Sequence, residues 1–215
     1  MSDVNIGADL CETVEVPAPS RPYHHGSLEQ QLTSTAMEVV RSSGLEAMSL
    51  RDLTRTARVS PSAAYRHFPS RDHLVARVAQ LSREALAHAL LAALEAAPTR
   101  RDPKQRATER MRAIGLAYVR FAVENPNLFE AAFTRCDIRS NTPDDPAAWS
   151  VVVATVQEMI DAGAIPAERA VDGPMIAWVG VHGLSEILTS SIWPDGVDVE
   201  MLSAPVVEGI LRALA

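Results

Sequence analysis

Two helix-capping signals, Ser60-Pro61 and Pro69-Ser70, bracket a segment too short for anything but a two-turn rod. The surrounding stretch, residues 59–74, reads "VSPSAAYRHFPSRDHL". A serine before a helix accepts a bond from a free backbone N–H, and proline fits the first helical position because its missing N–H is an orphan there anyway. The same logic makes Pro69 a breaker and Ser70 the start of the next helix. The spacing therefore predicts a short helix from Pro61 to Phe68, with Ala64 and Phe68 facing a core. Ser62, Ala63, Arg66 and His67 then fall on the open side, and Tyr65 lies at its margin.

The neighbouring sequence supplies supports for that rod. Ser27 and Gln30 form a Ser-x-x-Gln capping box ahead of Leu28, Leu32, Ala36, Val39 and Val40, which recur at helical spacing. Gly44 lies where a helix end takes a left-handed residue. Ser49 caps a segment with Leu50, Leu53 and Ala57 inward, ending near Arg58. Beyond Ser70 a long helix carries Leu74, Val78, Leu81, Leu86 and Ala93 and runs to about Ala97, where Pro98 stops it.

Further helices are predicted from Asp102-Pro103, from Asn125-Pro126, and from near Pro146 to Gly163. Another starts near Ala167, interrupted or begun afresh at Asp172-Gly173-Pro174, and reaches about Ser190. The last covers residues 198–214, with a possible kink at Pro205. "WPDG" after Ile192 is a turn, and "CDIRSNTPDDP" is a polar loop. No segment alternates with period two, and no repeat is visible. The expectation is an all-α chain of about nine helices: a disordered acidic tail over residues 1–20, a three-helix helix-turn-helix domain over 21–80, and a larger helical domain over 81–215.

Charge follows the same division. The net charge is −7. Residues 1–20 carry −4, residues 21–83 carry +4 with nine arginines, and residues 84–215 carry −7. A basic module inside an acidic chain is a local nucleic-acid footprint that the total conceals. Ser60 and Ser62 stand where hydroxyls and free amides at a helix N-terminus meet phosphate. Ser49 and Arg51 open the preceding helix and can do the same. Ala63 is small enough to let the backbone approach base edges or thymine methyls. Arg71, a cation in the first turn of a helix, opposes the helix dipole; a nearby phosphate would account for it. Arg21 lies on a flexible arm that could enter a minor groove.

The stretch "LRDLTRTARVSPSAAYRHFPSRDHLVARV", preceded by "YHHGSLEQQL", resembles the DNA-binding domain of the tetracycline-repressor (TetR) family over residues 21–80. Val59-Ser60, Tyr65-x-x-Phe68 and a basic residue at 71 fall in that family's order. The resemblance implies DNA contacts by Ser60, Ser62, Ala63, Tyr65, Arg66, His67 and Arg71. It departs at Arg58, where the family has glycine in the turn between the two helices. A left-handed turn costs a non-glycine residue about 1 kcal/mol, so either the turn relaxes or Arg58 offsets the strain with a phosphate contact.

In the acidic part, "AWVGVHGLSEIL" places Trp178 and His182 four apart on one face, with Gly180 and Gly183 permitting close helix contact. Trp-x-x-x-His-Gly resembles the signature of a C-terminal domain in one subgroup of the family, and "NPNLFEAAF" resembles its earlier short helix. The resemblance implies a helical regulatory body with a small-molecule effector pocket. Its last two helices would pair with a second copy, so that the homodimer reads a palindromic operator on double-stranded DNA. Tyr118, Phe129, Phe133, Met175, Trp178 and His182 are the expected pocket lining; aromatics and methionines at helical spacing also serve as plain core.

Other classes find less support. Cys11 and Cys136 are isolated, which excludes a disulfide framework and fits a reducing compartment. His24 and His25 lack partners at ligand spacing, so no metal and no cofactor is expected. The N-terminus has no signal-peptide pattern, and the apolar run from Gly173 to Ser185 is too short to span a bilayer. A cytoplasmic protein is expected. No Gly-x-Ser-x-Gly, phosphate loop, His-Glu-x-x-His or dinucleotide fingerprint occurs. Glu186, four residues after His182, is the one conceivable acid–base pair. The alternative reading is a helical small-molecule-binding protein or enzyme without sequence-specific DNA binding.

Overall fold

The structure, a computed structural model, describes residues 25–135, 148–190 and 198–215. Within these lie α1 (His25–Ser43), a 3₁₀ turn (Leu45–Ala47), α2 (Leu50–Thr56), α3 (Pro61–His67), α4 (Arg71–Ala96) and α5 (Pro103–Glu124). They continue with α6 (Pro126–Phe133), α7 (Ala148–Asp161), α8 (Arg169–Thr189) and α9 (Val199–Leu214). The described residues thus form nine helices and no strand, the all-α class that the periodicity predicts. The expected N-terminal tail, Arg21, His24, the loop from Cys136 and the turn after Ile192 lie outside the described residues, as do the side chains of His25 and Ser27.

The caps explain most boundaries. Ser60 Oγ accepts from the Ala63 amide at 3.3 Å, Ser70 Oγ from His73 at 3.4 Å, and Asp102 from Lys104 at 3.2 Å. Ser49 holds the extended cap backbone of α2 without a side-chain bond. Two expectations need correction. Helix α1 begins at His25, so Ser27 lies within its first turn and is not the cap; a cap needs a non-helical backbone, and here the helix extends past the serine. Helix α8 runs unbroken through Asp172-Gly173-Pro174. Pro174 is in its second turn and forfeits one backbone bond, while Gly173, Pro174 and Ala177 are buried. A Cβ on Gly173 would stand 3.2 Å from Val156 of α7 and 3.3 Å from Leu214 of α9. That packing holds the helix together across the proline.

Helices α1 to α3 and the start of α4 make a small head. Leu28, Leu32 and Val40 of α1 meet Leu50 and Leu53 of α2, Ala64 and Phe68 of α3, and Leu74 and Val78 of α4. The rest of α4 passes into the body, where Leu86 and Leu90 join Met111, Ile114, Tyr118, Leu128, Val152, Val181 and Val207. The two sets form one continuous apolar cluster. The division expected at residue 80 therefore falls inside α4. The body bundle is drawn tight by Gly180, where a Cβ would lie 2.6 Å from Ile210 of α9. Gly183 is different: it is exposed, and none of the described residues stands within 4 Å of its Cβ position.

The turn between α2 and α3 is a Schellman motif, in which a left-handed residue lets two amides reach back to the last carbonyls of a helix. The Val59 amide donates to the Thr54 carbonyl at 3.0 Å, and the Arg58 amide to Arg55 at 3.2 Å. The end of α7 repeats the motif, with the Ala164 amide on Met159 and the Gly163 amide on Ile160, both at 2.8 Å. There the left-handed residue is Gly163, with φ 67°. At the head it is Arg58, with φ 54°. The turn has not relaxed.

Arg71 is accounted for within the head itself. Its guanidinium donates to the carbonyls of Leu45 at 2.9 Å and Met48 at 3.3 Å. These acceptors flank the 3₁₀ turn and offset the unfavourable position of a cation at the start of α4.

Two outcomes follow for stability. Replacing Arg58 by glycine relieves the left-handed backbone and should raise folding stability by about 1 kcal/mol, read as a higher denaturant midpoint at unchanged slope. Replacing Arg71 by methionine should lower stability by about 1 kcal/mol without any DNA present; an unchanged midpoint would mean that the Arg71–carbonyl bonds contribute nothing to the fold.

Candidate nucleic-acid interface and effector cleft

Each residue of a helix turns about 100° from the last, and this sorts the residues of α3. Ala64 and Phe68 are buried. Ser62, Tyr65 and Arg66 point the opposite way and are exposed, Tyr65 to 54%. Ser60 is exposed at the helix start, its Oγ 3.3 Å from Ser62 Oγ. Ala63 and His67 lie between the two faces. Ala63 is half-buried against the core. His67, expected on the open side, has a side chain only 16% exposed, its Nδ1 3.9 Å from Glu29 Oε2 of α1. The reason is its position three residues after buried Ala64, which puts it on the flank of the buried face. The open face is therefore Ser62, Tyr65 and Arg66, with Ser60 at its tip.

Arg51 is exposed at the start of α2, next to half-buried Ser49. Arg58 is exposed at the turn. Among the described residues, Arg51, Arg58 and Arg66 form no ion pair, whereas Arg55 is held by Asp52 at 2.9 Å. The body treats its arginines differently. Arg110 pairs with Glu158, Arg112 with Glu208 and Arg120 with Glu200. Hydrogen bonding to Arg112 holds the Glu208 carboxyl below the usual carboxylate range. Arg110, Arg112 and Arg120 are thus held by carboxylates, whereas Arg51, Arg58 and Arg66 are left available to phosphate on the head.

Within the body, α5, α6 and α8 bring an aromatic cluster together. Tyr118 of α5 stands edge-on to Trp178 at 5.3 Å and to Phe129 at 5.9 Å. Phe133 meets His182 at 4.6 Å. Edge-to-face pairs set the positive rim of one ring against the negative face of another. Tyr118 Oη lies 2.9 Å from His182 Nδ1. Burial, and secondly the charge of Glu186, push the phenol pKa up, so Tyr118 stays protonated. His182 Nε2 faces Glu186 Oε1 at 3.8 Å. In a neutral imidazole with its proton on Nε2, Nδ1 accepts from the phenol.

Two cavities adjoin this cluster. One lies in the apolar interior between α4, α5, α7, α8 and α9, touches Tyr118, and has a volume of about 20 Å³. The other is a cleft between α6 and α8 of about 480 Å³, lined by Phe129, Glu130, Phe133, Thr134, Glu186 and Thr189 among others. Phe129 and Phe133 of the expected lining face this cleft; Trp178 and His182 pack against them; Tyr118 faces the interior cavity instead.

Met175 does not belong to the lining. It is 54% exposed, between Val171 at 90% and Val179 at 59%. Spaced four apart, these make an apolar stripe down the outside of α8, continued by exposed Gly183 and Ile187. Met201, Ala204 and Pro205 extend the exposed surface on α9. The i, i+4, i+8 pattern at 171, 175 and 179 is legible in the sequence, but the neighbouring aromatics draw Met175 to the wrong face. Trp149 of α7, which meets Trp178 at 5.7 Å, and Glu130 escape sequence reasoning; their partners lie on other helices, beyond the reach of local spacing.

Among the described residues, no group of three His, Cys, Asp or Glu side chains is placed to hold a metal ion, and no helix is long and apolar enough to cross a membrane.

Comparison with known proteins adds to this geometry. The family model for bacterial regulatory proteins of the tetR family matches residues 32–78, and that for the tetracyclin repressor-like C-terminal domain matches residues 111–202. No curated protein matches by sequence. A protein of unknown function from a Rhodococcus species is 28% identical, with TM-score 0.72, covering 91% of this chain and 100% of its own. The TetR family regulator PfmR from Thermus thermophilus shares the fold at 21% identity, with TM-score 0.55, over 86% of this chain and 99% of its own. A TetR variant from Acinetobacter baumannii in complex with minocycline is 17% identical, with TM-score 0.55, over 86% and 96%. Both halves match in the order head then body, and the protein belongs to the tetracycline-repressor family of DNA-binding transcriptional regulators.

Proposed function

We propose that this protein is a cytoplasmic homodimeric repressor that binds a palindromic operator through α3 and is released by a small molecule in the α6–α8 cleft. The observation that carries the reading is the exposed Ser62–Tyr65–Arg66 face, backed by buried Ala64 and Phe68 and carrying an unpaired arginine. Arg66 and Ala63 would meet base edges, and Ser60, Ser62, Tyr65, Ser49 and Arg51 the phosphates. His67 would assist from the flank, beside Glu29. Arg71 would reach phosphate only with N–H groups not already used on Leu45 and Met48.

One short helix offers too few contacts for tight binding. A two-fold pair of heads doubles them and sets half-sites about one helical turn of DNA apart. The outer stripe of α8, Val171, Met175 and Val179, supports pairing with a second copy, since an exposed apolar row of that length marks an interface. Gly183 continues the stripe as a notch that a partner helix can enter.

The connection between cleft and head supports ligand response. Helix α6 presents Phe129 and Phe133 to the cleft. At its other end, the Asn127 side chain donates to the Arg41 carbonyl near the end of α1 at 3.1 Å. Arg83 of α4 donates to the Ala132 carbonyl of α6 at 2.9 Å. A ligand that displaces α6 therefore acts on both α1 and α4. It needs only to bind the DNA-incompetent arrangement better; a hundredfold preference corresponds to about 2.7 kcal/mol of coupling.

Titration against DNA flanking the protein's own gene tests the reading. Specific binding should weaken as salt rises, because phosphate contacts release counterions. Tyr65→Ala with Arg66→Ala should abolish specific binding and leave the dimer intact; retention of specificity would remove α3 as the reading element. Val179→Glu should shift the protein to monomer in sedimentation and lower operator affinity at least tenfold, whereas an unchanged sedimentation coefficient would place the interface elsewhere.

A further inference from the structure

We infer that the α6–α8 cleft takes an organic cation, an alkyl- or arylammonium whose charged end lies between Glu130 and Glu186 and whose apolar part rests on Phe129 and Phe133. The inference rests on the effector reading above and adds the chemical class of the ligand.

Of the two cavities beside the aromatic cluster, size selects the cleft. The interior cavity, about 20 Å³, has room for little more than a water molecule. The cleft, about 480 Å³, falls in the range of small-molecule sites. Its charged lining is of one sign. Among the described residues, Glu130 and Glu186 line it, and no lysine or arginine does. Two neighbouring basic side chains are engaged: Arg83 of α4 is bonded to the Ala132 carbonyl, and His182 stands 3.8 Å from Glu186. Exposed Arg135 follows Thr134 but is not part of the lining.

The neutral polar groups point the same way. Thr134, Thr189 and Ser190 line the cleft, yet each hydroxyl donates to its own chain. Thr134 donates to the Glu130 carbonyl at 3.1 Å, Thr189 to Ser185 at 2.9 Å and Ser190 to Ile187 at 2.7 Å. Asn127 spends an amide N–H on Arg41. What remains toward the cleft is chiefly lone pairs. An anion would meet acceptors and two carboxylates; a cation meets complementary charge. Ser190, which closes α8, also brings the negative end of that helix to the rim, while α6 lines the cleft with both its first residues and its last and so favours neither sign. Phe133 lines the cleft, and an aromatic ring attracts a cation more strongly as water is excluded.

The test uses the full-length protein and two probes of similar size and opposite charge, benzyltrimethylammonium and 3-phenylpropionate. Trp178 lies 6.1 Å from Phe133, so tryptophan emission reports occupancy. Saturable binding of the cation is expected, at least tenfold tighter than that of the carboxylate. Glu130→Gln with Glu186→Gln should weaken cation binding about tenfold, and Phe133→Leu should weaken it independently, with helical circular dichroism confirming that each variant is folded. Equal or tighter binding of 3-phenylpropionate, cation binding indifferent to the double variant, or no saturable response to the cation overturns the assignment. Operator binding by the unliganded protein is measured in parallel. If it is specific, the regulator reading stands whichever way the probes fall; if it is absent, that reading falls on its own.

Discussion

The molecule depends on one rod that belongs to two cores. Helix α4 spans Arg71 to Ala96, 26 residues, or about 39 Å at the usual rise. Its first turns carry Leu74, Val75 and Val78 into the head, and its later ones carry Leu86 and Leu90 into the body. Between them Ala76, Ala79, Gln80 and Ser82 are also buried, so the middle of the helix is enclosed on several sides. A straight helix transmits rotation because its backbone bonds do not stretch. The head is joined to the body by this continuous helix, and α6 adds a second contact between the two through α1.

Electrostatics then distinguishes the two ends of the molecule. The chain is acidic overall, yet the arginines that face outward on the head at positions 51, 58 and 66 have no carboxylate partner among the described residues, while Arg110, Arg112 and Arg120 of the body are paired with Glu158, Glu208 and Glu200. An acidic body is repelled by a phosphate backbone and a basic head is attracted to it, so approach is oriented before any base is read. Shape and charge assign the same surface.

Much of this is legible in the sequence because it is local. Caps at Ser60, Ser70 and Asp102, the left-handed ends at Gly44 and Gly163, and the inward pairing of Ala64 with Phe68 each depend on residues a few positions apart. The errors have a common cause. Helical spacing alone misplaces His67 and Met175, because it does not say which neighbouring helix lies alongside, and a residue on a flank can go either way. The dipole of its own helix suggests a phosphate beside Arg71, whereas its partners are carbonyls 23 and 26 residues away. The cleft itself is not visible in the sequence, since Glu130 and Glu186 come to line one cavity only after α6 and α8 are packed.

Helix α6 has eight residues, too few to persist in water without neighbours. It exists because Phe129 and Leu128 are buried and because Asn127 and Ala132 are tethered to α1 and α4. An element so dependent on its surroundings melts at little cost once they shift. Its amides should trade hydrogen for deuterium well ahead of those in α4 and α5, so the segment that walls the cleft and touches both α1 and α4 is one that yields easily.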